Sequence, residues 1–466
     1  MHTPIDPRIF RAYDIRGVAL EQVTEEAARL IAHAFGSVLR EQLPGTTPRV
    51  CVGRDARTHG PLLEKAAIEG LTASGCDVYT IGAVASPLNY FAICDGKFDA
   101  GVQVTASHNP GHDNGLKLTV EGAKSFANDD IQGLRTRIEA GNFATGAGTV
   151  HAYDTVTPYL RKLESMFGKK LDGLTIVVDA GNGIAGPVAC TALRNAGATV
   201  IEMYTEPDGT FPNHPADPSK RATLKELQER VVSEKADLGI GFDGDGDRIG
   251  VVDDKGVIWA ANYVIVLLAE DMLSRHPGAA VVSTVSNSSI IDTEVRRLGG
   301  TYHMCEVGTN NVKRVMVQHD ALIGGEQSGH YFCREDYYMY DDALVACMRV
   351  ASVVKSSGKP LSTLMAGYPV VFAPQERRPF CPDDRKFPII EEAKKHFAQK
   401  YPVNTMDGAR VDFGDGAWAG LRASNTSPCL SLCMEARTPE KLKAMEDEIL
   451  GFFGTFPEID WNGGGH

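Results

Sequence analysis

Short apolar runs alternate with amphipathic segments in the same way three times along the chain. Each copy has an apolar run, a loop, a helical pattern, a turn that contains glycine and a second apolar run. The three copies begin at RVCVGRD, TIVVDAGNG and AVVSTVSNS. Apolar runs that are separated by helices are typical of βαβ units, in which the strands are parallel. The pattern therefore predicts three similar α/β domains with mixed, mostly parallel sheets.

The pattern changes after Tyr368. The remaining chain contains the hairpin pattern ARVDFGDGAWAGLRAS, the apolar run CLSLCMEAR and a helical pattern from Pro439 to Phe453. Thr438 and Pro439 are residue types that favour the first turn of such a helix. The segment also contains VVFAPQ. A helix is expected near residues 389–399, and unstructured chain is expected at WNGGGH. These elements predict a smaller C-terminal α+β domain on an antiparallel sheet. The predicted domains are 1–153, 154–256, 257–369 and 370–466.

A second repeat places a polar loop at an equivalent point of each copy. The segments FDAGVQVTASH, ADLGIGFDGDGD and HDALIGGEQSGH each contain an Asp followed by an apolar run. The eighth residue after that Asp is Ser107, Asp245 or Ser328, respectively. Loops that follow strands carry the functional groups of many α/β proteins. If the three domains surround one cleft, these three loops can meet there.

The loop VTASHNPGHDNGLK contains Ser107, which could be a nucleophile, a hydrogen-bond donor or a turn residue. The loop FDGDGDRIG has carboxylates at alternate positions, Asp243, Asp245 and Asp247. Three oxygen ligands so close together suit Mg²⁺, and an acidic surface turn is the alternative. A calcium-binding EF-hand is excluded because Arg248 stands where that loop needs Gly.

Two further loops have the composition of binding loops. GGEQSGH offers alternating polar side chains that suit sugar hydroxyls, namely Glu326, Ser328 and His330. RASNTSP places the guanidinium of Arg422 beside hydroxyl and amide donors, which suits a phosphate dianion. Those donors are Ser424, Asn425, Thr426 and Ser427. For each loop, an ordinary polar turn is the alternative.

Composition narrows the class of partner. The formal net charge of −13 argues against a basic surface that binds nucleic acid. The chain has no run of apolar residues long enough to span a membrane and no apolar leader pattern, so we expect a cytoplasmic protein with no membrane partner. Its ten cysteines form no C-x-x-C pair, so reduced, mostly buried thiols are expected rather than a zinc site.

A competing motif lies in DAGNGIAGP. Gly181, Gly183 and Gly186 form G-x-G-x-x-G between a predicted strand and a predicted helix, and Glu202 lies near the end of the next strand. This is the dinucleotide-binding fingerprint, and it favours a nicotinamide-dependent oxidoreductase. That hypothesis leaves the serine loop, the three Asp residues and the Arg422 loop unexplained.

The polar loops together resemble a known family. TASHNP, DGDGDR, GEQSGH and RASNTSP occur in this order, one in each predicted domain, and FRAYDIRG precedes them. They resemble the α-D-phosphohexomutase superfamily, of the bacterial phosphomannomutase/phosphoglucomutase type. The resemblance covers essentially the whole chain. It implies four domains around a central cleft, the last of them similar to the TATA-binding protein.

The resemblance implies an isomerase of carbohydrate metabolism that interconverts hexose 1-phosphates and hexose 6-phosphates. Ser107 would carry a phosphoryl group and donate it to the sugar, and the hexose 1,6-bisphosphate would return its other phosphate. That bisphosphate would also serve as activator. One Mg²⁺ per chain would bind to the phosphate on Ser107 and to Asp243, Asp245 and Asp247. Such a transfer depends mainly on alignment and on charge neutralisation.

The resemblance also implies roles for the remaining residues. Arg248 and the start of a helix after the serine loop would neutralise charge. Lys117, His108 or Arg16 would move the hydroxyl proton. The substrate-binding residues that it implies are Tyr13, Thr309, Glu326, Ser328, His330, Arg422, Ser424, Asn425 and Thr426.

The sugar preference stays open. Asn425 resembles enzymes that act on mannose and glucose phosphates, whereas phosphoglucosamine mutases usually have Gly there. The chain departs from the dual-specificity type in two places: Val285–Asn287 replace a loop that often contains Lys, and Thr309 replaces a His. Lys313 could compensate. A phosphoglucosamine mutase and a non-catalytic phosphosugar-binding relative are the alternatives. The expected partner is a small phosphosugar, and the expected state is a monomer, with a dimer as the alternative.

Overall fold

The computed structural model describes residues 5–11, 13–424 and 427–464. The chain forms two compact units, each built from two segments of the sequence. The first unit comprises Met1–Met272 and Ser328–Met365, and the second comprises Leu273–Gln327 and Ala366–His466. Among the described residues, no helix combines the length and the apolar character that a membrane crossing requires.

The first sheet of the first unit is mixed. Its strands are β1 (Ile15–Val18), β2 (Arg49–Arg54), β3 (Asp77–Ala83), β4 (Ala100–Val104), β5 (Asp113–Val120), β6 (Lys124–Ser125) and β7 (Val150–Ala152). The order is β1-β5-β4-β2-β3-β7, with β6 beside β5. Strand β2 is parallel to β3 and β4, whereas β5 is antiparallel to β1 and β4. The segment that joins β4 to β5 contains the predicted serine loop.

Helices cover this sheet and close its core. They are α1 (Glu25–Gln42), α2 (Gly60–Ala73), α3 (Ser86–Asp95) and α4 (Asp129–Ala140). Thr24 caps α1, since its hydroxyl accepts the N–H of Ala27 at 3.1 Å. Phe35 of α1 and Leu63 of α2 pack with Val102 of β4 in one core cluster. Strand β4 is buried along its whole length, so the loop that follows it starts from a fixed point.

The second sheet of this unit positions the predicted metal loop. Its strands are β8 (Thr175–Asp179), β9 (Thr199–Met203), β10 (Leu238–Phe242), β11 (Ile249–Asp253) and β12 (Ile258–Trp259), in the order β12-β11-β10-β8-β9. The helices are α5 (Val156–Phe167), α6 (Gly186–Asn195) and α7 (Lys225–Glu234), and α8 (Ala261–Arg275) follows β12 in the sequence. Strands β10 and β11 are antiparallel, with Phe242 opposite Ile249. The three Asp residues therefore lie in the tip of a hairpin between two buried strands.

The second unit begins with a parallel sheet. The strands of this sheet that belong to the second unit are β13 (Ala280–Thr284), β14 (Thr301–Cys305) and β15 (Ile323–Gly325), and the helices are α9 (Ser289–Arg297) and α10 (Thr309–Gln318). Strand β13 is parallel to both of the others. From Ser328 the chain belongs to the first unit again, with β16 (Tyr331–Cys333), α11 (Ala343–Ser357) and α12 (Leu361–Met365). Asp342 caps α11 by accepting the N–H groups of Leu344 and Val345.

The C-terminal part of the second unit is an α+β structure. Its elements are β17 (Pro379–Phe380), α13 (Asp383–Phe397), β18 (Val403–Asn404), β19 (Ala409–Gly414), β20 (Ala417–Ala423), β21 (Leu430–Glu435), α14 (Pro439–Phe453) and β22 (Asp460–Gly464). Strands β18 to β21 form an antiparallel sheet in sequence order. Phe397 of α13 and Phe453 of α14 are buried in one core cluster with Leu421 of β20.

The segment VVFAPQ forms an isolated bridge, from Phe372 to Ala436. Three local expectations differ from the structure. Helix α13 begins at Asp383 rather than near residue 389, because two acidic residues occupy its first turn, where they complement the helix dipole. Residues 461–464 belong to β22, which pairs with β17, and residues 465 and 466 lie outside the described residues. The serine loop is followed by strand β5 and not by a helix.

Candidate active site

Ser107 is held in an unusual backbone conformation just after β4. Its φ is +52°, in the left-handed region, and the residue is 1% exposed. Its N–H donates to Thr105 Oγ1 at 2.9 Å, and its hydroxyl donates to Asp243 Oδ2 at 3.1 Å. The hydroxyl also lies 3.2 Å from His108 Nδ1. Because a non-glycine residue with this φ is strained, the surroundings must hold the loop in place.

Arg57 provides that support, and the sequence analysis did not identify it. Its side chain is fully buried, and it donates to four backbone carbonyls of the serine loop at 2.6 to 2.8 Å. These carbonyls belong to Ser107, Asn109, Pro110 and Asp113. Arg57 Nε donates to Asp55 Oδ2 at 3.1 Å, and the same oxygen accepts the hydroxyl of Thr105. A lone Arg after a strand carries no signal in the sequence that would have indicated this role.

The three predicted metal ligands lie together in the hairpin tip. One carboxylate oxygen from each of Asp243, Asp245 and Asp247 lies within 4.8 Å of the others, and all three residues are buried. Asp245 Oδ1 has no hydrogen-bond partner within the described part of the chain. Buried carboxylate oxygens without a donor are costly unless a cation binds them. The arrangement therefore fits a divalent cation that prefers oxygen ligands.

The electrostatic environment differs among these carboxylates. Burial and the two neighbouring carboxylates raise the pKa of Asp243 well above its usual range. Lys117 Nζ lies 2.6 Å from both Asp245 Oδ2 and Asp247 Oδ2. Burial opposes the charge on Asp247, but Lys117 and His330 outweigh it and hold the pKa of Asp247 well below its usual range. Burial likewise opposes the charge on Lys117, yet the two carboxylates raise its pKa well above the usual value. Lys117 is therefore a charged ammonium group.

Two predicted residues of the GEQSGH loop, Ser328 and His330, lie near the metal loop within the first unit. Arg248 Nε donates to His330 Nε2 at 3.2 Å, and His330 Nε2 also lies 3.3 Å from Asp247 Oδ1. His330 Nδ1 lies 3.0 Å from Ser328 Oγ. Asp341, which the sequence analysis did not identify, lies 3.7 Å from His330 Nε2. Asp247, His330 and Asp341 form a second buried group with the composition of a metal site.

The other predicted residues of the first unit surround the serine loop. Arg16 Nη1 donates to the carbonyl of Ala106 at 3.1 Å and lies 3.3 Å from Asn109 Oδ1. Its Nη2 forms an ion pair with Asp14 at 2.5 Å. Burial, together with the charges of Arg248 and Arg16, lowers the pKa of His108 well below its usual value. Tyr13 lies in the same unit, shortly before β1.

The predicted sugar and phosphate residues divide between the two units. Ser328 and His330 belong to the first unit, whereas the others that the structure describes belong to the second. These others are Thr309, the first residue of α10; Glu326, which accepts the N–H of Gly308 at 2.9 Å; Arg422, on β20; and Ser424, whose Oγ accepts the N–H of Ser427 at 3.1 Å. Asn425 and Thr426 lie outside the described residues. Lys313 is buried on α10.

The glycines of the dinucleotide-like motif pack against protein backbone. A Cβ on Gly186 would lie 2.2 Å from the carbonyl oxygen of Thr205. Glu202, which would bind a ribose in the oxidoreductase hypothesis, forms an ion pair with Arg194 at 2.5 Å and accepts the hydroxyl of Thr205. Close packing between α6 and the segment after β9 therefore explains the glycine without a dinucleotide.

Family models match the chain in four consecutive segments. The models of the phosphoglucomutase/phosphomannomutase alpha/beta/alpha domains I, II and III match residues 7–145, 157–256 and 260–371. The model of the C-terminal domain of the same family matches residues 381–451.

Relatives of similar length agree with these matches. A Pseudomonas aeruginosa protein named phosphomannomutase/phosphoglucomutase is 39% identical over 442 residues, which cover 94% of this chain and 94% of that protein. A Neisseria meningitidis phosphoglucomutase is 35% identical over 458 residues, covering 97% of this chain and 98% of that protein. The crystal structure of a phosphoglucomutase/phosphomannomutase family protein from Burkholderia thailandensis matches with a TM-score of 0.89 at 34% identity, over 97% of this chain and 98% of that one. The chain therefore belongs to the phosphoglucomutase/phosphomannomutase family, within the α-D-phosphohexomutase superfamily.

Proposed function

We propose that this chain interconverts hexose 1-phosphates and hexose 6-phosphates by phosphoryl transfer through Ser107, with mannose and glucose phosphates as its substrates. Family membership confirms the predicted superfamily, fold class and hexose-phosphate mutase activity of an isomerase. One observation carries the assignment of Ser107. Its hydroxyl lies 3.1 Å from Asp243 Oδ2, in a strained loop that the buried Arg57 supports. A nucleophile needs this kind of fixed position beside an electrostatic centre.

Asp243, Asp245 and Asp247 would hold one Mg²⁺ per chain. When bound beside Ser107, the ion would supply positive charge to the phosphoryl group that is transferred. The protein supplies charge of its own nearby. Arg248 Nε lies 3.9 Å from Asp243 Oδ2, and Lys117 forms ion pairs with the other two carboxylates. Preorganised cations of this kind stabilise the charge that develops on the phosphoryl oxygens.

Each half-reaction balances without any further reactant. The bond from phosphorus to Ser107 Oγ breaks while a bond to a sugar oxygen forms, and the sugar hydroxyl passes its proton to a base. In the second half-reaction the other phosphoryl group of the hexose 1,6-bisphosphate returns to Ser107. Release of this bisphosphate would leave an unphosphorylated enzyme, so added bisphosphate acts as activator.

The proton-transfer residues fall into two chemical types. Lys117 Nζ is an N–H donor 2.6 Å from Asp245 Oδ2 and Asp247 Oδ2, and we assign it to protonation of a leaving oxygen. His108 Nδ1 lies 3.2 Å from Ser107 Oγ, and we assign it to acceptance of a proton. His330 is a further candidate because its Nε2 faces both a donor, Arg248 Nε, and the carboxylate of Asp247. In this proposal Arg16 orients the serine loop through the carbonyl of Ala106.

We assign sugar-phosphate binding to the residues that the sequence predicted for it. Arg422, with Ser424 and the predicted Asn425 and Thr426, would bind the phosphate that is not transferred. Glu326 and Ser328 would hold sugar hydroxyls. The partner is thus a small phosphosugar, and we propose that the chain acts as a monomer, with a dimer as the alternative.

The serine assignment predicts a separation of turnover from binding. With Mg²⁺ and a trace of glucose 1,6-bisphosphate, the protein should convert glucose 1-phosphate into glucose 6-phosphate. Ser107→Ala should lower kcat by at least ~10³-fold, because it removes the phosphoryl carrier, and should change the Kd for glucose 1-phosphate by less than about threefold. A coupled spectrophotometric assay and isothermal titration calorimetry measure the two quantities. Ser165→Ala, on an exposed part of α5, is the matched control. Full activity of Ser107→Ala would exclude Ser107 as the carrier.

The same assay distinguishes the alternative functions. Mannose 1-phosphate, glucose 1-phosphate and glucosamine 1-phosphate are compared side by side, and preference for the amino sugar would favour a phosphoglucosamine mutase. No turnover of any of the three, with no phosphate on Ser107 by intact-mass measurement after incubation with the bisphosphate, would favour a non-catalytic binding protein. Quenching or enhancement of NADH fluorescence on mixing would instead support the oxidoreductase hypothesis.

A further inference from the structure

Asp407, a residue of the second unit with no assigned role, contacts the guanidinium of Arg422. It lies in the turn between β18 and β19, and its side chain is 18% exposed. Arg422 Nε donates to Asp407 Oδ2 at 3.0 Å. The contact is tight because Gly408, with φ +73°, lies directly against β20: a Cβ there would be 2.3 Å from the carbonyl oxygen of Leu421 and 3.1 Å from the Cα of Arg422.

The same carboxylate oxygen binds a second group. The backbone N–H of Val307 donates to Asp407 Oδ2 at 3.0 Å. The next N–H along the chain, that of Gly308, donates to Glu326 Oε1 at 2.9 Å. Helix α10 then begins at Thr309. Two consecutive N–H groups thus bind two carboxylates, one beside the predicted phosphate site and one in the predicted sugar site.

A carboxylate beside a phosphate-binding Arg is unfavourable on electrostatic grounds alone, because it repels the dianion. Its presence is explained if it orients the guanidinium. Asp407 binds Nε, which is the one guanidinium nitrogen that a phosphate does not need when the two terminal nitrogens hold it side by side. The hydrogen bond to Val307 then fixes the segment before α10 relative to that guanidinium.

We infer that Asp407 is a positioning residue that couples phosphate binding at Arg422 to sugar binding at Glu326 and the segment 307–309. This inference rests on the proposed function, because it takes Arg422 and Glu326 as ligands of one hexose phosphate. Inorganic phosphate binds without a sugar, whereas glucose 1-phosphate engages the Arg422 site and the sugar site together. The ratio of their dissociation constants therefore measures what the sugar contributes.

The experiment measures this ratio in the full chain with the Ser107→Ala substitution, so that bound sugar is not turned over. Asp407→Asn keeps the size of the side chain and removes its charge. Loss of a charge-assisted hydrogen bond at a part-buried site should reduce the advantage of glucose 1-phosphate over inorganic phosphate by about tenfold. If Asp407 acted by repulsion only, both ligands would bind more tightly by the same factor and the ratio would not change. Asp415→Asn, whose carboxylate is 92% exposed in the turn before β20, is the matched control.

A second variant tests the coupling from the other side. Arg422→Lys keeps a positive charge but removes the Nε donor, so it should reduce the ratio by a similar factor. Both substitutions break the same hydrogen bond, from Arg422 Nε to Asp407 Oδ2. The double variant should therefore reduce the ratio of dissociation constants by no more than either single variant does. Additive effects, or a ratio within twofold of the control in Asp407→Asn, would overturn the inference. Failure of Ser107→Ala to bind glucose 1-phosphate at all would instead count against the proposed function. If Asp407→Asn does not fold, judged by thermal denaturation, Arg422→Lys decides alone.

Discussion

At the scale of single residues, Arg57 shows how one buried side chain can hold a loop in place, here the loop that contains Ser107. Its guanidinium donates to four backbone carbonyls and to Asp55. These five hydrogen bonds match the five N–H groups of the guanidinium. We predict that Arg57→Lys, which keeps the charge but offers a compact ammonium, destabilises the protein by roughly 2–4 kcal/mol. It should also lower kcat by about 10²-fold, because the position of Ser107 is no longer fixed. Thermal denaturation and steady-state kinetics measure the two effects.

An exposed arginine provides the control. Arg161→Lys, on the surface of α5, makes the same chemical change without a buried network and should leave both quantities unchanged. An Arg57→Lys enzyme with normal kcat but reduced stability would show that the network supports the fold and not the position of Ser107.

The sequence predicted the site residues that form a recognisable motif with their neighbours in the chain. Asp243, Asp245 and Asp247 alternate with glycines, so their proximity is set locally, within one hairpin tip. Arg57 and Asp407 were missed because their partners are distant in sequence: Arg57 reaches carbonyls about fifty residues away, and Asp407 reaches Val307. Such contacts arise from the packing of loops from different strands, for which a sequence alone gives no periodic signal.

At the scale of elements, the segment between β9 and α7 connects β8 to the metal loop through His214. His214 Nε2 lies 3.1 Å from Asp179 Oδ2, and Nδ1 lies 2.9 Å from the carbonyl oxygen of Pro215. Both partners are acceptors, so both hydrogen bonds form only when the imidazole carries two protons. The next residue, Ala216, accepts the N–H of Gly244 at 3.1 Å, inside the metal loop.

This histidine gives a pH dependence with a defined sign. The hydrogen bond to Asp179, opposed by burial and aided by the charge of Asp179, raises the pKa of His214, and Glu226 adds a smaller effect. The ring of Tyr204 lies edge-on to the imidazole. The pKa of His214 is therefore higher in the folded chain than in the unfolded chain. Its contribution to the free energy of unfolding is complete below about pH 6.5 and is lost as the pH rises through the folded-state pKa.

We therefore predict that His214→Gln lowers the free energy of unfolding by about 1 kcal/mol at pH 6 and by less at pH 9. Thermal denaturation of both proteins at the two pH values measures the difference. His112→Gln, with a side chain that is 69% exposed, should show no such pH-dependent difference. A loss that grows with pH would mean that His214 acts as a neutral ring.

Helices and strands were predictable where the spacing of apolar residues and the capping or turn residues indicate the same element. Helix α14 begins at Pro439, with the side chain of Thr438 accepting the N–H of Lys441, as its sequence indicates. The hairpin of β19 and β20 has the predicted antiparallel pairing. The segment after Ser107 was predicted wrongly as the start of a helix, because its polar, glycine-rich sequence does not reveal the long-range pairing of β5 with β4 and β1. Strand β22 was missed for the same reason, since its partner β17 lies some eighty residues earlier.

At the scale of the whole molecule, the predicted site residues are divided between the two units. The three carboxylates that we propose as metal ligands lie in the first unit, and Arg422 and Glu326 lie in the second. A ligand stabilises the structure that binds it, by about 2.7 kcal/mol at a concentration of one hundred times Kd. Mg²⁺ and inorganic phosphate should therefore protect different parts of the chain. The four-domain pattern of the sequence could not predict this division, because contacts from distant segments decide which parts form a compact unit.

Hydrogen exchange measured by mass spectrometry tests this expectation. Mg²⁺ added to chelator-treated protein should slow exchange in peptides that contain residues 238–253, because it neutralises carboxylates that now repel one another. Inorganic phosphate without metal should slow exchange in peptides that contain residues 417–424 and 306–309, the latter through Asp407. Ser107→Ala should respond to phosphate in the same way, because it leaves Arg422 intact. Protection by phosphate only in the first unit would contradict the assignment of Arg422, and equal protection of both units by Mg²⁺ would show that the metal acts beyond the unit that binds it.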